Sequence, residues 1–144
     1  MSIFQDAILR FGRTIMSYAG DAVFLEASVS AAANVIAADG DVAEEEIEAA
    51  IAGIRANPIL EKSYDVLRIE QELYEAITRA KTRAGRVENL RCVQQIAERP
   101  IDQRQDVFLI AADVADFDGI SEVEHKALDE IAGALHVDKS TLLR

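Results

Sequence analysis

A run of small and apolar residues that passes through an acid-Gly turn into an acidic segment occurs twice in this chain. The copies are Ala32 to Ile54, AANVIAADGDVAEEEIEAAIAGI, and Ala111 to Ala132, AADVADFDGISEVEHKALDEIA. Laying Asp39-Gly40 on Asp118-Gly119 also sets Ala33 on Ala112 and Val35 on Val114. One extra residue after Gly40 then brings Val42 onto Ile120 and Glu46 onto Glu124. Each copy reads as helix, turn and helix. A repeated unit of this size cannot bury its apolar face alone, so the doubling asks for two hairpins that share a core.

Helical spacing recurs along the rest of the chain. Ile3, Phe4, Ala7, Ile8, Phe11, Ile15 and Tyr18 step by three and four and predict an amphipathic N-terminal helix within residues 1–20. Arg10 and Arg13 give it a thin polar face for a membrane surface, so packing onto the domain is expected. Gly20 ends that segment, and Asp21 is placed to cap the next. Leu25, Val29, Ala32, Ala33 and Ile36 predict a buried central helix over Ala22–Ala38, and Val107, Phe108, Ala111, Ala112, Val114 and Ala115 predict its counterpart over Asp106–Phe117. The second arms, Ala43–Ala56 and Ser121–Leu135, carry Ile47, Ala50, Ile51 and Ile54 or Ala127, Leu128, Ile131 and Leu135, and fold back on their partners.

Between the copies, Asn57-Pro58 stops a helix, because the residue before proline is pushed out of the helical region. Ser63 or Asp65 opens a longer run with Val66, Leu67, Ile69, Leu73, Ile77 and Ala80. Gly85 is expected to break it, and Val87 to Ala97 continues with Leu90, Val93 and Ile96. Pro100 can start the helix leading into the second turn. No stretch alternates with a period of two, so no strand is predicted. The expectation is an all-α single domain over residues 1–144, with seven or so helices and two pseudo-repeated hairpins around a small-residue core.

A formal charge of −11 opposes binding to nucleic acid, which needs a basic face, and suits cations or basic partners. One Cys allows no internal disulfide and fits a reducing, cytoplasmic setting. The N-terminus has charges inside its apolar stretch and does not read as a signal peptide or membrane span. No nucleophile with a base, phosphate-cradling Gly loop or zinc motif is present, so no enzyme is expected.

The first turn, Asp39-Gly40-Asp41-Val42-Ala43-Glu44-Glu45-Glu46, has the spacing of the second half of an EF-hand loop: acid, Gly, a residue, an aliphatic and a Glu. The opening acids are missing, since Val35 and Ala37 stand there. In the second copy Asp116 supplies one acid, and the loop then runs a residue short. Calcium takes roughly six to eight oxygens, so one turn offers too few. Paired hairpins would let Asp39, Asp41, Glu46, Asp116, Asp118 and Glu124 face a shared divalent cation, calcium or magnesium rather than zinc. The competing reading is plain capping. Ser121-x-x-Glu124 has the spacing of a capping box, and acids in a first turn suit the helix dipole. Ala43 cannot reciprocate such a box, yet Glu44, Glu45, Glu46 and Glu48 crowd that turn. The sequence leaves both open.

His125 falls about 100° around the helix from Glu124 and suits a solvent position. His136 lies near a helix end, and Cys92 reads as a small core residue. Arg79, Lys81, Arg83, Arg86, Arg91, Arg99 and Arg104 read as solvated faces, with a groove opposite the acidic turns as a place for a carboxylate-rich partner.

The small-residue helix, DG turn and downstream Glu, present twice, resemble the TerB family of tellurite-resistance proteins, whose fold also occurs at the N-terminus of DjlA-type membrane co-chaperones. Ala33, Ala37, Asp39, Gly40, Val42 and Glu46 carry the resemblance in the first half. Ala112, Ala115, Asp118, Gly119, Ile120, Ser121 and Glu124 carry it in the second, and it covers about Glu26 to Leu142. The turns differ by one residue, and Ala43 stands where the second has Ser121. The resemblance implies an all-helical, non-enzymatic cytoplasmic protein of a tellurite-resistance or stress-response system, peripheral at the inner face of the membrane. It implies work beside an integral membrane TerC-like protein and TerD-like proteins, and metal binding by Asp39, Glu46, Asp118 and Glu124. Two functions therefore compete: a divalent-cation-binding protein, and a metal-independent interaction adaptor or co-chaperone-like module.

Overall fold

The computed structural model describes residues 21–116 and 119–143. The helix expected within residues 1–20 lies outside them. Every element among the described residues is helical.

The first helix, α1 (Ala22–Ile36), is capped by Asp21, whose carboxylate accepts the Phe24 N–H at 3.1 Å. It is buried from Phe24 onwards except at Glu26, and Ala27, Ala31, Ala32 and Ala33 are fully covered. A helix covered on nearly every side belongs in the centre, and alanines let its neighbours come close. It ends two residues earlier than its apolar pattern, at Ile36, because the chain must turn into Gly40, which holds φ of 86°. Helix α2 (Glu44–Ala56) follows, burying Ile47, Ala50 and Ile54.

Asn57 closes α2 and opens a short helix absent from the sequence reading, α3 (Pro58–Ser63), with its side chain accepting the Ile59 N–H at 3.0 Å. Proline ends one helix and, at the first position, begins the next. Asp65 caps α4 (Val66–Ala80), which buries Ile69, Leu73, Ala76, Ile77 and Ala80.

The break before α5 (Arg83–Gln94) falls at Lys81-Thr82, not at Gly85. Gly85 sits within the first turn of α5, where its N–H donates to Thr82 Oγ1 at 3.0 Å. A Cβ there would stand 1.7 Å from the Arg79 carbonyl oxygen, so this glycine lets two helix ends touch.

Helix α6 (Ile101–Ala115) begins just after Pro100, the proline expected to start it, so it extends the Asp106–Phe117 stripe towards the N-terminus, and it buries Val107, Phe108, Ile110, Ala111, Ala112, Val114 and Ala115. Ser121 and Glu124 form the capping box of α7 (Glu122–Leu135), and His136 ends it in the left-handed region at φ 55°. A short α8 (Lys139–Leu142) completes the described chain.

Two hairpins, α1–α2 and α6–α7, share the core, and α1 packs on α6. The second arm of each hairpin packs on the first arm of the other: α2 on α6, and α7 on α1. The α4–α5 hairpin is inserted between the copies in sequence; both its helices pack on α1, and α5 also lies against α7. Among the described residues no helix is long and apolar enough to cross a membrane.

Candidate functional site

Gly40 and Gly119 adopt nearly the same backbone, with φ of 86° and 84°. Each donates its N–H three residues back, Gly40 to the Ala37 carbonyl at 3.2 Å and Gly119 to Asp116 at 3.4 Å. The repeat is therefore real in geometry as well as in sequence.

The acids at these corners do different things. Asp39 is exposed, and its Oδ1 accepts the Asp41 N–H at 3.0 Å. Asp41 is also exposed, whereas Glu46 is buried in the first turn of α2. Asp116 is exposed at the end of α6. Glu124 is buried, with Oε1 accepting the Ser121 N–H at 3.0 Å while its own N–H donates to Ser121 Oγ at 3.3 Å. Asp118 lies outside the described residues. Among the described residues no group of three or more His, Cys, Asp or Glu is placed to hold a metal ion. The capping account of Ser121 and Glu124 is thus met in the geometry.

A groove of about 870 Å³, open on one side, lies beside the first turn. Its floor is Asn34, Ala37, Ala38 and Ala80; Asp39, Gly40 and Val42 form one edge. Arg83, Arg86, Val87 and Leu90 of α5 and Val123, Lys126, Ala127 and Glu130 of α7 form the walls, with Lys81 at the α4–α5 corner. Three large apolar side chains, one from the first turn and one from each of α5 and α7, line this groove while still exposed: Val42 at 39%, Val87 at 49% and Val123 at 47%. Among the described residues Lys81, Arg83 and Lys126 take part in no ion pair. Asp39 therefore borders a largely cationic, apolar concavity.

Beneath the groove runs a buried polar network. Asn89 is fully buried; its Nδ2 donates to Asn34 Oδ1 at 2.9 Å and to the Ala76 carbonyl at 3.0 Å, while its Oδ1 accepts from Arg79 Nε at 2.8 Å. Asn34 Nδ2 donates to the Arg86 carbonyl at 3.1 Å, and Arg79 Nη2 to Ser30 Oγ at 3.5 Å. These bonds fix α4 and α5 on α1 and so set the groove wall.

The expectation that the basic residues of the middle section are solvated needs correction for four of them. Arg79 belongs to the network above, and Arg86 donates to the Ala80 carbonyl at 3.0 Å. Arg99 forks onto Asp21, and Arg104 donates to the carbonyls of Leu135 and His136, each at 3.1 Å. Guanidinium groups, with several donors in one plane, suit helix ends whose carbonyls lack partners.

Cys92 is buried and donates to Glu26 Oε1 at 3.2 Å; burial and that bond push its thiol above the usual range, the opposite of an activated nucleophile. Chemically, the groove suits a ligand with apolar surface and negative charge. The sequence predicts a basic groove opposite the acidic turns but gives Val42, Val87 and Val123 no part in it. For Val87 and Val123 the signal is an apolar residue outside the helix's core stripe, as Val123 stands outside Leu128, Ile131 and Leu135. A scan against models of protein families finds no match, and neither the curated proteins nor the solved structures yield one.

Proposed function

We propose that this chain is a non-enzymatic helical docking module of the TerB-like kind, which holds a partner protein in the groove between the first acidic turn, α5 and α7. The observation that carries this reading is the meeting of exposed Val42, Val87 and Val123 with Lys81, Arg83 and Lys126 in a chain of net charge −11. Exposed apolar side chains cost little singly, but their convergence in a concavity marks a surface awaiting cover. Cations set in an acidic molecule select for negative charge at that one place.

The TerB resemblance supplies the setting: a cytoplasmic tellurite-resistance or stress-response system, at the inner face of a membrane, with TerC-like and TerD-like proteins as candidate partners. A direct test is binding of such a partner to the wild-type chain and to Val87→Asp. Loss of binding in the variant, with helix content retained by circular dichroism, supports the groove. Binding that is indifferent to Val87 removes it.

A divalent cation at the first corner is the second reading, favoured by the shared backbone of Gly40 and Gly119 and by the exposed carboxylates of Asp39 and Asp41. Calcium or magnesium would suit such oxygens, with Glu46, Asp116, Asp118 and Glu124 as further candidates.

A further inference from the structure

The two long walls of the groove share one spacing. On α5, Arg83, Arg86, Val87 and Leu90 stand at i, i+3, i+4 and i+7; on α7, Val123, Lys126, Ala127 and Glu130 do the same. Each wall is thus a single helical face that has no third helix against it among the described residues. The ridge of a third helix settles into the furrow between two such faces, and small residues at the base, here Ala37, Ala38 and Ala80, let it come close. No strand among the described residues offers an edge, so an extended peptide has nothing to pair with.

Resting on the docking reading above, we infer that the occupant is an amphipathic helix of a partner protein whose apolar ridge is bordered on both sides by Asp and Glu. Both borders are needed because cations stand on both walls, Arg83 on α5 and Lys126 on α7, with Lys81 at the corner between α4 and α5. The apolar ridge covers Val87 and Val123, the two most exposed of the three groove valines. A small ligand is disfavoured, because sites for small molecules enclose most of the ligand and this groove is open along one side. An anionic membrane or a nucleic acid is disfavoured by shape and by the net charge of −11, which opposes the approach of an extended anionic surface.

The experiment is a selection of displayed helical peptides, each of about four turns, on the wild-type chain, with counter-selection on Arg83→Glu/Lys126→Glu. Both positions are solvent-facing, and circular dichroism with a melting curve establishes that the variant is folded. The expected pool carries apolar residues at steps of three and four flanked by acids. Its members bind the double variant about tenfold or more weakly, and replacing their flanking acids by Lys restores binding to that variant. Phosphatidylglycerol vesicles and sedimentation of the chain alone run alongside. A groove-dependent pool that is basic or neutral overturns the acidic helix while leaving the docking module standing. No enrichment, or a pool indifferent to Arg83, Lys126 and Val87, overturns both. Vesicle binding or self-association that the double variant abolishes, without peptide enrichment, assigns the groove to a membrane or to a second copy and overturns the inference.

Discussion

Asn89 Nδ2 donates to Asn34 Oδ1 at 2.9 Å, and this bond ties the inserted hairpin to the central helix directly beneath the groove. Asn89 uses both amide hydrogens and its oxygen, so removing it takes a partner from Asn34 Oδ1 and from Arg79 Nε together. Asn89→Ala is expected to cost about 2–4 kcal/mol, since buried groups left without partners cost more than the bonds themselves contribute. Urea unfolding that shows a loss below about 1 kcal/mol would mean that the network adds little.

Asp21 and Arg99 join the start of α1 to the residues just before α6 across 78 positions of sequence, with both side chains largely shielded. Burial alone would raise the Asp21 carboxyl, but the Arg99 bonds and the Phe24 N–H outweigh it and hold the group below the usual carboxylate range. A carboxylate with a depressed folded-state value stabilises the fold above its ordinary titration range, and that stability is lost as pH falls through the folded value. Arg99→Ala is therefore expected to cost about 1–2 kcal/mol at neutral pH, with the difference from wild type shrinking below about pH 4. Stability measured against pH in both proteins checks the sign. A difference that grows on acidification contradicts it.

The extent to which such features were legible in the sequence follows from the range over which their causes act. Asp21, Pro100 and the Ser121-Glu124 box are local, and they stand where spacing placed them, because a cap or a proline acts within one turn. The doubling likewise revealed the two hairpins. Gly85 misled, since its reason is the Arg79 carbonyl beside it in space, whereas in sequence it reads as a simple breaker. Asn34 and Asn89 look like ordinary helix-surface residues until α1, α4 and α5 are assembled. The groove has the same character: its valines come from three separate segments, and no pattern within any one of them shows that they meet.

Ala43 and Ser121 occupy the same position in the two copies, as N-caps of α2 and α7, and each is followed three residues on by a buried Glu, Glu46 or Glu124. Ser121 supplies a side-chain cap and Ala43 supplies none. Ser121→Ala should cost about 1 kcal/mol, and Ala43→Ser should stabilise by about 0.5–1 kcal/mol by giving α2 the box that α7 already has. Thermal melts of the two single variants suffice. A loss of stability in Ala43→Ser would show that the first corner has a geometry or a use for Glu46 that a capping box disturbs.

The metal question turns on how many oxygens the first corner can offer. Asp39 and Asp41 are exposed and one Asp39 oxygen already accepts a backbone N–H, so a calcium ion there would keep much of its water. Affinity no tighter than about 10⁻⁴ M is the expected outcome of calorimetric titration, because few fixed protein ligands leave the ion easily exchanged with solvent. Asp39→Asn should remove that weak heat, and EDTA should leave peptide docking in the groove unchanged to within about twofold, since Val87, Val123, Arg83 and Lys126 do not depend on an ion at Asp39 for their positions. A micromolar site for calcium or magnesium that disappears in both Asp39→Asn and Asp118→Asn would instead mean that the two corners act on one ion. In that case the cation reading would displace the docking reading as the chain's primary function.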